Sequence, residues 1–103
     1  MTESPWIEAG AEAEFVATDR KTLDLSGQSI LLIRAKGSYY AVSSICTHAR
    51  AQMHDGDLDG FELECPLHGA RFDIRTGKAT PPASRALKTF EVRVEKGRIF
   101  IRN

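Results

Sequence analysis

The sequence predicts an all-β fold, either an antiparallel sandwich or a barrel. Short segments in which apolar and polar residues alternate recur along the chain, as is typical of half-buried strands. Tight turns that contain glycine separate several of them, most plainly Lys36-Gly37 and Lys96-Gly97. No segment shows a long helical period. Together these features favour packed antiparallel strands over a helical or α/β domain.

The N-terminal third supplies the first predicted strands. A short strand is expected to open at Trp6, whose ring packs on the sheet. Residues 9–14 are expected to form a loop that leads into a strand at Phe15–Ala17. Leu23 and Leu25 alternate with polar neighbours, which predicts a half-buried strand.

A central hairpin follows. Ser29–Ala35 is a continuous apolar run, which predicts a strand buried on both faces. After a tight turn the chain returns along Ser38–Ser44 and leads into Cys46. Tyr39 and Tyr40 are expected to point to opposite faces of this strand, one packed inward and the other exposed.

The second half of the chain adds a short strand and a final hairpin. The short strand is predicted at Phe61–Glu64. Both strands of the hairpin carry alternating apolar side chains, at Phe90, Val92, Val94, Ile99 and Ile101.

Four side chains with metal-binding chemistry lie in two short groups. Cys46 and His48 form a C-x-H pair, Cys65 and His68 form a C-x-x-H pair, and residues 49–64 separate them. Two thiolates and two imidazoles suit an iron–sulfur cluster or zinc. Zinc sites in small domains more often use C-x-x-C knuckles or H-x₃₋₅-H pairs on a helix. The sequence has no C-x-x-C, and although His48 and His54 have the H-x₅-H spacing, no long helical period carries them. The spacing therefore favours an iron–sulfur cluster, while zinc, or no metal at all, stays open at this point.

The residues around these pairs resemble the two cluster loops of Rieske [2Fe–2S] proteins. That family pattern is C-x-H, then a gap of this order, then C-P-x-H-G-x-x-F. The first loop is matched at Cys46, Thr47 and His48. The second loop and the turn after it are matched at Cys65, Pro66, His68, Gly69, Phe72, Asp73, Thr76 and Gly77.

The resemblance implies a cofactor and an architecture. One Rieske-type [2Fe–2S] cluster would be bound by Cys46, His48, Cys65 and His68, with both histidines on one iron. The whole chain, residues 1–103, would be one domain, a β base with a small inserted subdomain whose cluster-binding loops span about residues 46–72.

The resemblance also assigns the cluster surroundings. In the family the histidines lie at the tip of the domain, where partners dock. Gly69 would let the backbone pass close to the cluster. An apolar collar for weak, transient docking would be formed by Ala49, Pro66, Leu67 and Pro82.

Departures from the respiratory-chain Rieske branch are also informative. The two extra cysteines of that branch are replaced by Ala51 and Leu67, so no disulfide can join the loops. Its Ser and Tyr, whose hydroxyls hydrogen-bond sulfur, are replaced by Ala70 and Phe72. Fewer such bonds lower the reduction potential, which is expected near the bottom of the Rieske range of roughly −150 to +300 mV. The chain is most similar to the soluble ferredoxins of bacterial ring-hydroxylating dioxygenase systems.

The remaining residues exclude several activities. A terminal oxygenase needs a mononuclear iron site, usually two histidines and a carboxylate, and His54 is the one histidine left over. We expect a surface or loop-packing role for it. A reductase needs flavin and nicotinamide sites, and the sequence has no G-x-G-x-x-G. The sequence therefore predicts an electron carrier and not an enzyme.

The resemblance implies the partners of that carrier. It would pass one electron from an NAD(P)H-dependent flavoprotein reductase to the Rieske centre of a terminal oxygenase that hydroxylates aromatic or related hydrocarbons. Two alternatives are a Rieske-like small subunit of a nitrite reductase or other oxidoreductase complex, and a zinc-stabilised binding module.

Charge and hydropathy limit the other partners. The net charge is zero and the pI is about 6.8, which argues against nucleic acid. The N-terminal residues lack the features of a secretory signal, and no apolar run approaches membrane-spanning length. A soluble, cytoplasmic monomer is expected.

Overall fold

The computed structural model describes residues 5–25, 27–46, 52–66, 69–80 and 85–102. Short 3₁₀ turns lie at Glu12–Phe15 and Met53–Asp55. The strands are β1 (Ile7–Ala11), β2 (Arg20–Leu25), β3 (Gln28–Ala35), β4 (Ser38–Ser43), β5 (Leu58–Asp59), β6 (Glu62–Glu64), β7 (Arg71–Asp73), β8 (Thr89–Glu95) and β9 (Arg98–Arg102). The all-β prediction is confirmed. Over these described ranges, no helix has the length and apolar character needed to cross a membrane.

The strands form two antiparallel sheets. Six of them make a base sheet in the order β1-β9-β8-β4-β3-β2, and the other three make a small sheet in the order β5-β6-β7. The base sheet curls into a nearly closed barrel, and the ammonium of Lys21 on edge strand β2 reaches the Ala9 carbonyl on edge strand β1 at 2.9 Å. All of the small sheet comes from chain between β4 and β8, which confirms the predicted inserted subdomain.

Strand β3 is buried on both faces, as predicted. Ile30 and Leu32 contribute to the base core, whose buried members are Ala9, Phe15, Ile30, Leu32, Ala41, Phe90, Ile99 and Ile101. Leu31 and Ile33 contribute to a second, loop-side core, whose buried members are Leu31, Ile33, Ala35, Val42, Cys46, Met53, Leu63, Cys65, Ala70, Phe72, Ile74 and Leu87. Successive side chains of a strand point to opposite faces, so one strand serves both cores.

The two predicted Lys-Gly turns are confirmed. Lys36 and Lys96 both have φ of 51°, and the glycines that follow them have φ of 82° and 77°. Positive φ at both central residues is the signature of the two-residue hairpin turn that matches the twist of antiparallel strands. These turns join β3 to β4 and β8 to β9.

The predicted strand at Phe15–Ala17 is wrong. Phe15 ends the first 3₁₀ turn, which begins after Ala11, where the Glu14 carboxylate accepts a hydrogen bond from the Ala11 N–H at 2.8 Å. This bond satisfies the backbone donor of the residue that precedes the turn and so stabilises the start of the 3₁₀ turn after β1 ends. The turn directs the Phe15 ring into the base core.

The prediction for the two tyrosines is half right. Tyr39 and Tyr40 do point to opposite faces, but both are half-buried and neither is fully exposed. Tyr39 makes an edge-to-face contact with Phe15, with ring centroids 5.2 Å apart. Tyr40 makes a similar contact with Phe61, at 5.8 Å, because the inserted subdomain covers that face of the base sheet.

Candidate iron–sulfur cluster site

Backbone pairing joins the two segments that flank residues 47–51, and we call such a pairing a neck. Ile45 and Gln52 pair as an isolated antiparallel bridge. One residue further out, the Met53 N–H donates to the Ser44 carbonyl at 2.6 Å. Cys46 is therefore placed immediately inside the neck, at the base of the first predicted cluster loop.

A second neck encloses residues 66–69. The Cys65 N–H donates to the Ala70 carbonyl at 2.7 Å, directly beyond the paired strands β6 and β7. Gly69 lies inside this neck with φ of 71°, a left-handed conformation that glycine adopts without a Cβ penalty. Pro66, on the other side, is exposed. Cys65 thus forms the closing bond of the second neck, whereas Cys46 lies one residue inside the first.

The two cysteines share one buried environment. Cys46 and Cys65 are 0% and 1% exposed, and both belong to the loop-side core together with Met53, Leu63 and Phe72. The fold therefore buries in one core two thiols from separate parts of the chain, each beside a hydrogen-bonded neck. Two buried sulfurs of this kind, with a histidine two or three residues further along each loop, fit the donor set of a [2Fe–2S] cluster.

The segment between the two loops packs tightly against the second neck. Gly56 is buried, and a Cβ atom added to it would collide with the backbone carbonyl of Glu64. The Glu64 N–H in turn donates to the Asp57 carbonyl at 2.8 Å. Because Glu64 directly precedes Cys65, the position of this segment is linked to the position of the second cysteine.

The two positions without hydroxyls lie in the loop-side core. Ala70 and Phe72 are both 0% exposed. Each stands where respiratory-chain relatives have a hydroxyl that hydrogen-bonds sulfur, as the resemblance implied. Neither residue can supply such a bond, and the low reduction potential stays a prediction.

Charged side chains occupy the outward face of the small sheet. The Arg71 guanidinium lies 3.3 Å from a carboxylate oxygen of Glu62 and 3.2 Å from one of Glu64. Its hydrogen bond with Glu62, followed by the charge of Glu64, raises the Arg71 pKa. The loop aspartates Asp55 and Asp59 are exposed, in keeping with solvated turns.

The structure places some of the predicted site residues and not others. Cys46, Cys65, Pro66 and Gly69 are described and lie at the two loops. The remaining predicted ligands and docking residues, His48, Ala49, Leu67, His68 and Pro82, lie outside the described residues.

The structure also shows the positions of His54, for which we expected a surface role, and of Gln52, which the sequence did not indicate. His54 is exposed, with its Nε2 3.4 Å from an Asp55 carboxylate oxygen, which fits the predicted surface role. The sequence did not indicate the neck residue Gln52, because its partner Ile45 is identified only by the folded path of the chain.

Comparisons with known proteins show the family to which the chain belongs. A family model described as the Rieske [2Fe–2S] domain matches residues 5–91. The ferredoxin component of the naphthalene 1,2-dioxygenase system of Pseudomonas putida is 41% identical over 97 residues, which cover 93% of this chain and 93% of that protein.

Solved structures share the fold along nearly the whole chain. The ferredoxin of carbazole 1,9a-dioxygenase from Nocardioides aromaticivorans IC177 matches with a TM-score of 0.88 at 29% identity, covering 96% of this chain and 98% of that one. A chain in a complex of reduced oxygenase and oxidized ferredoxin in carbazole 1,9a-dioxygenase matches with a TM-score of 0.87 at 29% identity, covering 94% of this chain and 92% of that one.

The family match spans most of the chain, and the relatives match it from end to end as ferredoxins. The chain belongs to the Rieske [2Fe–2S] family and is a ferredoxin, an electron carrier with one Rieske-type cluster and not an enzyme.

Proposed function

We propose that Cys46, His48, Cys65 and His68 are the four cluster ligands. Burial of both thiols in one core and the two closed necks support the cysteine pair. The histidines follow from the match of both loops to the Rieske pattern, in which two histidines bind one iron. When bound, the cluster supplies a one-electron couple. The protein's part is to hold the sulfurs in an apolar interior and to present the ligand loops to partners.

The protein takes one electron from an NAD(P)H-dependent flavoprotein reductase and delivers it to the Rieske centre of a terminal oxygenase. The substrate of that oxygenase is an aromatic or related hydrocarbon. The observation that carries this proposal is the match, over nearly the whole chain, to a chain from a complex of oxygenase and ferredoxin. The naphthalene and carbazole systems named for the relatives indicate the substrate class. Both of these relatives are ferredoxins, which favours this role over a nitrite reductase subunit.

Docking occurs at the cluster loops. Pro66 is exposed at the edge of the second loop. The apolar collar that we propose for docking would add Ala49, Leu67 and Pro82, which lie outside the described residues. Small apolar contacts of this kind suit weak encounters between redox partners. Residues 1–103 act as one domain, and the protein works as a cytoplasmic monomer.

The proposal is tested by electron delivery in a reconstituted system. Reduced protein is mixed with oxidised terminal oxygenase of a naphthalene-type system, and oxidation of the ferredoxin cluster is followed by stopped-flow absorbance. Leu67→Glu should slow delivery several-fold while the visible spectrum of the cluster stays unchanged, because a charge at an apolar contact must be desolvated on docking. Reduction by the matching reductase and NADH is measured with the same variant.

Two controls accompany that experiment. Val16→Glu makes the same kind of change at an apolar side chain on the base that is 85% exposed, and it should leave delivery unchanged. Cys65→Ala should contain neither iron nor sulfide. A wild-type protein that cannot reduce any such oxygenase would rule out the proposed role, and a Cys65→Ala protein with a full cluster would rule out the ligand set.

A further inference from the structure

Arg20 ties the base sheet to the segment between the two ligand loops. It lies on β2, and its side chain is 18% exposed. One guanidinium nitrogen, Nη1, donates to the His54 carbonyl at 2.9 Å and to the Gly56 carbonyl at 2.6 Å. The residues that it binds lie 34 and 36 positions further along the chain. Hydrogen bonds from a charged donor are stronger than those from a neutral donor.

A neighbouring carboxylate fixes the direction of this guanidinium. Arg20 Nε donates to Asp19 Oδ1 at 2.9 Å, and Nη2 donates to Asp19 Oδ2 at 3.4 Å. This bidentate contact uses the planar fork of arginine, which lysine cannot reproduce. The hydrogen bond from Arg20 also lowers the pKa of Asp19, so the carboxylate stays charged. Arg20 is therefore held in one orientation when it meets the carbonyls.

The segment that Arg20 holds is joined to both necks. At its start, the Met53 N–H donates to the Ser44 carbonyl, and the Met53 side chain is fully buried in the loop-side core. At its end, Gly56 packs on the Glu64 carbonyl and Asp57 accepts the Glu64 N–H. A displacement of residues 53–57 would therefore move the neck beside Cys46 and the neck beside Cys65.

We propose that Arg20 is a positioning residue for the iron–sulfur cluster, which sets the spacing of the two ligand loops by holding residues 53–57 against the base. Its side chain binds Asp19 and two backbone carbonyls, so it acts through the chain that carries the cysteines. The inference rests on the ligand set proposed above. Groups that hydrogen-bond metal ligands directly typically change metal affinity by about 10- to 100-fold when they are removed, and we expect an effect on that scale from Arg20, which acts through the backbone.

The next residue on the strand provides a matched control. Lys21 points to the other face of β2, and its ammonium donates to the Ala9 carbonyl at 2.9 Å and to Glu14 Oε1 at 2.8 Å. It thus makes the same kind of contact as Arg20, one cation shared between backbone and carboxylate. Its partners lie in β1 and the first 3₁₀ turn, on the side of the base core and not in residues 53–57.

The experiment compares Arg20→Met with Lys21→Met in the cluster-containing protein. The rate of iron loss to an excess of chelator is measured without denaturant, together with hydrogen exchange at the Gly56 and Glu64 amides. Arg20→Met should lose its cluster about 10- to 100-fold faster than wild type, with faster exchange at those two amides. Lys21→Met should keep the wild-type rate of iron loss. Arg20→Lys should fall between wild type and Arg20→Met.

The following outcomes would contradict the proposed role of Arg20. Equal iron loss in Arg20→Met and Lys21→Met would mean that Arg20 only stabilises the base, and the proposal would be overturned. Faster exchange throughout β2 and β3, with no excess at Gly56 or Glu64, would overturn it as well. If Arg20→Met yields no folded protein, Arg20→Lys decides, since wild-type iron loss there contradicts the proposal. Cluster content of Cys65→Ala separately tests the ligand set.

Discussion

Two buried side chains without hydroxyls are the basis of our prediction that the cluster has a low reduction potential. Ala70 and Phe72 lie fully inside the loop-side core, and the Ala70 carbonyl closes the neck of the second loop by accepting the Cys65 N–H. A hydroxyl that hydrogen-bonds sulfur stabilises the more negative, reduced cluster. We therefore expect the absence of hydroxyls at these two positions to keep the reduction potential low, as the proposed transfer to another Rieske centre requires.

Ala70→Ser is expected to raise the reduction potential. The added hydroxyl is small, and the cysteine sulfurs are the acceptors proposed for it in this core. Protein-film voltammetry at neutral pH should show a wild-type wave near the lower end of the Rieske range, roughly −150 to +300 mV, and a higher wave for the variant.

Ala79→Ser is the control, because Ala79 packs against the same core but lies beyond the second loop, after β7. It should leave the potential at the wild-type value. A potential that is unchanged or lower in Ala70→Ser would show that a missing hydroxyl does not explain the low value.

For single residues, the sequence predicted the cysteine pair but not Arg20, the residue that we propose positions the loops. Cys46 and Cys65 belong to a short local motif, and the structure places both in one core. Arg20 looks like any charged residue on a strand. Its partners are backbone carbonyls more than thirty positions away. Every residue has a backbone carbonyl, so the residue types at those positions do not reveal the contact.

Among the elements, the prediction succeeded where a strand has its own pattern. The apolar run of β3 and the alternation of β8 and β9 need no tertiary information, and both Lys-Gly turns follow from local backbone preference. Strands β5 and β7 have two and three residues and exist only because they pair with β6. Such short elements depend on neighbours that a single sequence does not reveal.

The turn after β7 contains a position at which both the backbone conformation and the available space require glycine. Gly77 has φ of 82°, and a Cβ atom there would collide with the Leu87 carbonyl. The Gly77 carbonyl also accepts the Leu87 N–H at 2.8 Å. Close backbone contact and a left-handed conformation therefore coincide at one residue, which joins the small sheet to the chain entering β8.

Gly77→Ala should destabilise the protein more than Gly97→Ala. Gly97 has a similar φ of 77°, but none of the described heavy atoms lies within 4 Å of the position that its Cβ would take. Gly97→Ala should therefore lose only the conformational term, about 1–2 kcal/mol, whereas Gly77→Ala adds a steric clash. Urea unfolding followed by circular dichroism measures both, and equal losses of unfolding free energy would contradict the close contact at Leu87.

The whole molecule is organised around one strand that serves two cores. Leu31 and Leu32 are adjacent on β3, both are 0% exposed, and they point into the loop-side core and the base core respectively. Packing on the loop side supports the cysteines directly, while packing on the base side supports the barrel. The two residues offer a comparison in which chemistry, size and burial are the same.

Leu31→Ala and Leu32→Ala should both lower stability but differ in cluster retention. Each deletion of a buried leucine side chain should reduce the unfolding free energy by about 2–5 kcal/mol, as measured by urea titration. Only Leu31→Ala should also speed iron loss to a chelator under native conditions, because its cavity opens next to the cysteine-bearing loops. Identical iron loss in the two variants would show that the cores do not act separately on the site.

The two-sided burial of β3 also limits how this protein can be taken apart. Residues 44–80 contain both cysteines and all three strands of the small sheet, yet Leu31, Ile33 and Val42, which pack beneath them, lie outside that stretch. A peptide of residues 44–80, grafted onto an unrelated scaffold, would leave its apolar underside facing water. Substitutions at exposed loop positions can change the partner that the protein recognises. The segment with the two cysteines, however, stays folded only when the barrel is present beneath it.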